Sequence, residues 1–228
     1  MKRSLINTLL ADGEDFFAAN SVALPSFALW RPDEFSRRVS AGHENVVASR
    51  LGWLVSDFAL GDFAAEGLVA FCASAGGGAG NYAERLLILR DRQRIPDRFH
   101  RRRVKDLINC GPGNLCLRLH RTTPSDTLDE TANLQVAVDG AVRKLAPGAR
   151  LLLRPGERVR IDPLTFHECQ AEAGDLIARE ISTATDEMLD SFFLPQIALA
   201  MSIVEDEPAR RLLVSDYPDQ FPELAAAA

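Results

Sequence analysis

Leu134-Gln135-Val136-Ala137-Val138-Asp139-Gly140, then Ala149-Arg150-Leu151-Leu152-Leu153-Arg154-Pro155-Gly156, then Arg158-Val159-Arg160-Ile161, is the stretch that sets the fold class. Apolar residues alternate with polar ones at a period of two, as in strands with one buried face. Asp139-Gly140 and Pro155-Gly156 are turn signals of the kind that close hairpins. Working outward, the same short runs recur at Leu68–Cys72, Arg85–Leu89, Leu115–Leu119 and Asp175–Ile181. Many short strands separated by Gly, Pro and Asp predict a sandwich or closed barrel rather than alternating strand–helix units.

The two ends read differently. Leu5, Ile6, Leu9, Leu10, Phe16 and Phe17 recur at helical spacing, and Pro32-Asp33-Glu34-Phe35 has the Pro and acids of a helix start. Ala23–Trp30 between them is expected to be extended. Asp186–Phe193 reads as an amphipathic helix, and Ala225–Ala228 as a frayed tail. The expected layout is one all-β dominated unit in three parts. Residues 1–50 form a helical N-terminal extension, 51–185 a β-barrel, and 186–228 a C-terminal helical or coil wrap.

The 228 residues carry 26 basic and 32 acidic side chains, a net charge of −6, which argues against a general nucleic-acid binder. The longest apolar runs are too short to cross a bilayer, and Met1-Lys2-Arg3-Ser4 is not followed by the apolar core of a signal peptide, so a cytoplasmic location is expected. The four cysteines form no CxxC pair and are expected to act as small hydrophobes. Eight basic residues crowd between Arg90 and Lys105, for which a solvated face is the simplest reading of the outer members. The glycines at 76, 77, 78 and 80 lack the Lys of a phosphate loop and read as a plain loop.

Chemistry concentrates around two of the four histidines. Arg98 and His100 share a strand face in Arg98-Phe99-His100, Lys105 follows, and His167 lies on a later strand beyond Pro163. This resembles the cupin arrangement, in which two imidazoles and a carboxylate from one motif and a third imidazole from another strand converge on one divalent ion. The similarity is closer still to the D-lyxose isomerase family. It runs in order through Met1–Ser4, Leu24–Trp30, Leu51-Gly52-Trp53, Ser56-Asp57-Phe58, Tyr82–Arg85, Lys105–Asn109 with Gly111 and Gly113-Asn114-Leu115, Val138–Gly140, Leu153–Glu157, Phe166-His167, Glu180–Ser182 and Glu205–Pro208.

That resemblance implies a cupin jelly-roll barrel that interconverts D-lyxose and D-xylulose with a divalent metal, usually manganese, and pairs as a homodimer. It places metal ligands at Arg98, His100, Lys105 and His167, so only His100 and His167 remain as donors. Arg98 cannot give up its proton, and Lys105 ligates only when neutral. Arg92 stands where cupins usually have glycine. Glu180 falls at an acid or base position, Arg85 where the family usually has Lys, and Asp186 at a nearby acidic position. Two expectations follow. One is a sugar isomerase in which His100 and His167 hold the metal, Glu180 moves the proton and Arg85 orients the sugar. The other is a catalytically inactive barrel that binds a sugar acid or sugar phosphate through Arg98 and Lys105, with Asp186 nearby.

Overall fold

The computed structural model describes residues 1–75, 82–183, 190–194, 197 and 202–226. Helix α1 (Arg3–Ala19) leads, followed by α2 (Pro32–Arg38) and α3 (Glu44–Ala48). The strands are β1 (Gly52–Ser56), β2 (Leu68–Ala75), β3 (Tyr82–Leu89), β4 (Arg94–His100), β5 (Lys105–Thr122) and β6 (Leu128–Asp129). They continue with β7 (Leu134–Val138), β8 (Ala141–Leu145), β9 (Ala149–Leu153), β10 (Arg158–Ile161), β11 (Thr165–Thr183) and β12 (Ser191–Phe193). Two short helices, α4 (Tyr217–Gln220) and α5 (Pro222–Ala226), close the described chain.

One wall of the barrel runs β1-β2-β3-β11-β5-β10-β7-β8, and the other runs β12-β4-β11-β5-β9. The long strands β5 and β11 belong to both. Lys105–Ile108 of β5 pairs with β10, and Leu115–Leu119 pairs with β9. Likewise His167–Gln170 of β11 pairs with β4, and Leu176–Thr183 pairs with β3. Leu87, Leu89, Ile95, Leu107, Leu115, Leu117, Leu151, Leu153, Val159 and Leu176 project inward from both walls into one apolar core. Their removal from water is the main term holding the walls together.

The two long strands bend where they cross. Gly111 and Gly174 have φ of +81° and +125°, a region open to glycine at little steric cost. Gly113 passes so close to the other strand that a Cβ there would lie 2.3 Å from the Gly174 carbonyl oxygen. The buried Asn109 holds the bend, donating from Nδ2 to the Gly113 and Leu153 carbonyls and accepting from the Gly111 amide at Oδ1. Pairing of β11 with β5 slips register between Glu172 and Leu176. Before the slip, His167, Cys169 and Ala171 are buried; after it, Leu176, Ala178 and Glu180 are. The bulge therefore moves the inward set from odd to even numbers.

Helix α1 lies against the outside of β2 and β3, burying Ile6, Leu10 and Phe17 against Trp53, Phe71 and Ile88. Arg3 pairs with Glu205 and Asp216 at 2.6 and 2.9 Å, Ser4 bonds Asp206, and Asn7 bonds Glu207. The first and one of the last matching segments of the sequence thus form one interface.

Two local expectations are corrected. Ala23–Trp30 is not extended throughout, because Ser26–Leu29 closes a 3-10 turn after Pro25, and Trp53 donates to the Ala28 carbonyl at its end. Within Asp186–Phe193, Ser191–Phe193 is strand β12 rather than helix, because it pairs with the free edge of β4.

Candidate active site

The bend and the alternation place one cluster of polar side chains inside an otherwise apolar barrel. β4 supplies Arg98 and His100, β5 supplies Lys105, and β3 supplies Arg85. β11 supplies His167 and Glu180 from opposite sides of its bulge. His167 and Arg98 are direct cross-strand partners, as are Glu180 and Arg85. His167 therefore stands beside Arg98 on the neighbouring strand. The His100 and His167 rings lie 5.5 Å apart between centroids.

The centre of charge is an ion pair. Lys105 Nζ donates to Glu180 Oε2 at 3.1 Å, with the side chains 1% and 5% exposed. Arg85 approaches the other oxygen of Glu180 at 3.6 Å. Burial favours the neutral form of Glu180, but Lys105, Arg85, Arg103 and Arg98 outweigh it and hold the carboxyl far below the usual range. Burial lowers the Lys105 ammonium to about 8; Glu180 opposes this, while Arg98 and Arg103 assist it.

Arg98 is buried, and its guanidinium donates to the Pro96 carbonyl at 3.4 Å. Among the described residues, no carboxylate lies within ion-pair distance of it. The neighbouring acids, Asp97 and Glu168, point to the outer face and share Arg118 there at 2.8 and 3.0 Å. The alternation along β4 and β11 anticipates this.

Both histidines are held neutral. Burial, together with the charges of Lys105 and Arg98, pushes each well below its ordinary value. His167 Nδ1 is 2.9 Å from the Thr165 carbonyl oxygen, and His100 Nδ1 is 3.3 Å from that of Asp190. A carbonyl only accepts, so in His167 Nδ1 carries the proton and Nε2 a lone pair. His100 Nδ1 also lies 3.2 Å from the Ser191 hydroxyl, which can donate or accept, so this ring can present either tautomer. Both Nε2 atoms are buried without a hydrogen-bond partner. That is the orientation of an imidazole waiting for a donor or a metal.

A complete metal centre does not follow. Two imidazoles suit a divalent ion, but the other two positions of the four-ligand pattern are cations, and Glu180 already serves Lys105 and Arg85. Among the described residues, no three His, Cys, Asp or Glu side chains converge on one point. The donor set does not fit the expected four-ligand divalent site, manganese included.

Two further residues support the cluster. Asp190 accepts from the Arg102 and Arg103 amides at 2.9 and 3.1 Å, while its own carbonyl faces His100. Arg103 is buried at 2% exposure, so the basic run is not one solvated face. Arg92 is 89% exposed, whereas Arg98, Arg103 and Lys105 turn inward. Arg92, in the place of the usual cupin glycine, keeps a φ of +65°. Asp186 and the glycines at 76, 77, 78 and 80 lie outside the described residues. His43 is exposed against Trp30, and His120 sits at the core edge beside Gly148. Of the cysteines, Cys72, Cys116 and Cys169 are buried as expected, while Cys110 is exposed. No helix among the described residues is long and apolar enough to cross a membrane.

The fold is shared with solved sugar isomerases. The fold is similar to L-ribose isomerase from Acinetobacter sp. DL28, with a TM-score of 0.55 at 12% identity over 90% of this chain and 98% of that one. It is similar to the Cellulomonas parahominis enzyme, at 0.54 and 14% over the same shares. The sequence narrows the class: residues 1–217 match the D-lyxose isomerase family, and the chain belongs to it. It is 37% identical over 226 residues to a D-lyxose/D-mannose isomerase of Escherichia coli O157:H7, covering 95% of this chain and 98% of that protein. The corresponding protein of Serratia proteamaculans is 36% identical over 224 residues, with the same coverage.

Proposed function

We propose that this protein isomerises an aldose of the D-lyxose or D-mannose type to its ketose, with the chemistry at the Glu180–Lys105–Arg85 cluster. The observation that carries this reading is a carboxylate held inside the barrel by two cations, beside two buried imidazoles whose Nε2 atoms have no partner. Such a set matches a hydroxylated carbonyl compound. Hydroxyl groups pair with His100 and His167 Nε2, and a carbonyl oxygen accepts from the cations. Glu180 moves the proton between C2 and C1, and Arg85 orients the sugar. Membership of the family and the two curated relatives support the substrate class.

The test is isomerisation of D-lyxose and D-mannose in deuterated water, followed by NMR. Ketose should form with solvent deuterium at the exchanged carbon, and Glu180→Gln should lose both. Failure to turn over either sugar, or unchanged turnover by that variant, would overturn the assignment.

A second reading is favoured by Arg98, a buried guanidinium with no carboxylate at ion-pair distance among the described residues. In it, the pocket holds a sugar acid or sugar phosphate through Arg98 and Lys105 without catalysis. Thermal stabilisation by such anions but not by neutral sugars, lost in Arg98→Ala, is its signature. Aldose turnover counts against it.

A further inference from the structure

Two cations occupy positions where the family pattern expects metal ligands, and one of them is hydrogen-bonded to Glu180, the only carboxylate of the cluster among the described residues. We infer that Lys105 and Arg98 replace a divalent ion as the electrophile of the isomerisation, and that substrate enters by taking Lys105 away from Glu180. This rests on the isomerase reading above.

The geometry makes the exchange a single event. At rest, Lys105 Nζ holds Glu180 Oε2 at 3.1 Å, in a setting almost wholly shielded from water. A carboxylate gripped by an ammonium is a weak base. An aldose carbonyl oxygen that accepts from Lys105 and Arg98 frees that carboxylate and is itself polarised. Glu180 then takes the proton from C2. The C2–H pair becomes the C1=C2 bond, and the carbonyl π pair moves to O1 as an enediolate facing the two cations. The O2 proton passes to O1, the O2 pair forms the C2 carbonyl, and C1 takes back the proton from Glu180. The carboxylate is regenerated, and no oxidant or second reactant is used. His167 accepts a hydroxyl hydrogen bond at its unpartnered Nε2, His100 offers its own unpartnered Nε2 beside it, and neither ring need change charge.

The chemistry of the donors favours cations over a metal here. Arg98 cannot ligate, and a dication brought between two imidazoles would stand beside Arg98 and Lys105 with Glu180 already engaged. One fixed hydrogen-bond donor aimed at a developing oxyanion commonly accounts for about a hundred- to a thousandfold in rate.

The experiment uses the full-length protein stripped with a chelator and checked for residual metal. Turnover of an aldopentose and aldohexose panel is measured with and without added Mn²⁺, and Mn²⁺ alone is titrated into the same protein. The expected result is turnover that neither chelator nor Mn²⁺ changes, with no saturable Mn²⁺ binding below about 1 mM. Lys105→Met should lower kcat about a hundredfold or more with a smaller change in KM. The pair Arg98→His and Lys105→Glu should gain Mn²⁺ affinity by about a thousandfold, the effect of removing like charges from beside a dication. Turnover that disappears with chelator and returns with Mn²⁺ overturns the inference and leaves the isomerase reading intact. Lys105→Met within tenfold of the unaltered rate also overturns it. No turnover on the panel in either condition removes the isomerase reading and this one with it.

Discussion

Glu180 and Lys105 are partners, yet removing one should cost far more than removing the other. Among the described residues, Lys105 has Glu180 as its one carboxylate at ion-pair distance, while Glu180 also has Arg85 at 3.6 Å. Glu180→Gln therefore leaves a lysine at 1% exposure facing Arg98 and Arg103, which has either to stay charged without a carboxylate among the described residues or to give up its proton. Breaking a buried pair in this way costs about 3–5 kcal/mol. Lys105→Met removes a charge-assisted hydrogen bond, worth about 1.5–3 kcal/mol, but leaves the carboxylate attended by arginines. The expected gap is about 2 kcal/mol, more than a tenfold difference in the folding equilibrium. Urea unfolding at pH 7.5, followed by tryptophan fluorescence, measures both variants against the unaltered chain and the double variant. The double variant should recover part of the Glu180→Gln loss, because the orphaned lysine is gone. A Lys105→Met cost equal to or above that of Glu180→Gln would refute the view that Lys105 depends on Glu180 more than Glu180 depends on Lys105.

Other outcomes follow from the same geometry. The buried neutral histidines have folded-state pKa values pushed below their unfolded ones, so stability is full above pH 6.5 and falls as the unfolded chain takes up protons below it. Between pH 7.5 and 5.5 each should remove about 1.4 kcal/mol, and His167→Gln should flatten that slope in denaturant titrations. The Glu180 carboxyl is depressed, so its contribution is present above the ordinary glutamate range and lost only as pH falls below about 4.3. Gly113→Ala should destabilise by about 1–3 kcal/mol or more, because its Cβ would meet the Gly174 backbone oxygen at 2.3 Å; calorimetry would show it. Tyr217→Phe removes the 2.6 Å bond to the Leu51 carbonyl and should cost about 1–3 kcal/mol in the same assay.

Much of the barrel was legible because its strands bury one face. Arg158–Ile161 alternates in sequence and forms β10 over those same residues. The outward turn of Asp97 and Glu168 also follows from alternation alone. What escaped depends on contacts between distant segments. Ser191–Phe193 has no strand signature of its own and is a strand because β4 offers it an edge. Arg103 looked like one more surface charge in a basic run, and nothing local separates it from Arg102, which faces the solvent. Asp190 lay inside the expected amphipathic segment without a signal of its role. The juxtaposition of His167 and Glu180 on one face was hidden as well. Their numbers differ in parity, and only the glycine bend between them brings both to the same side.

That bend works as a frame shift in the strand. The residues before it and those after it are read from opposite registers, yet both halves deliver polar groups to one chamber. A single-residue deletion around Ala173-Gly174 would leave every side chain in the sequence and send one half of the set to the outer surface. His167 and Glu180 would then be separated by the thickness of the wall, and the chamber would lose either its lone pair or its charge. The spacing between these two residues, rather than either residue alone, is what brings both into the chamber.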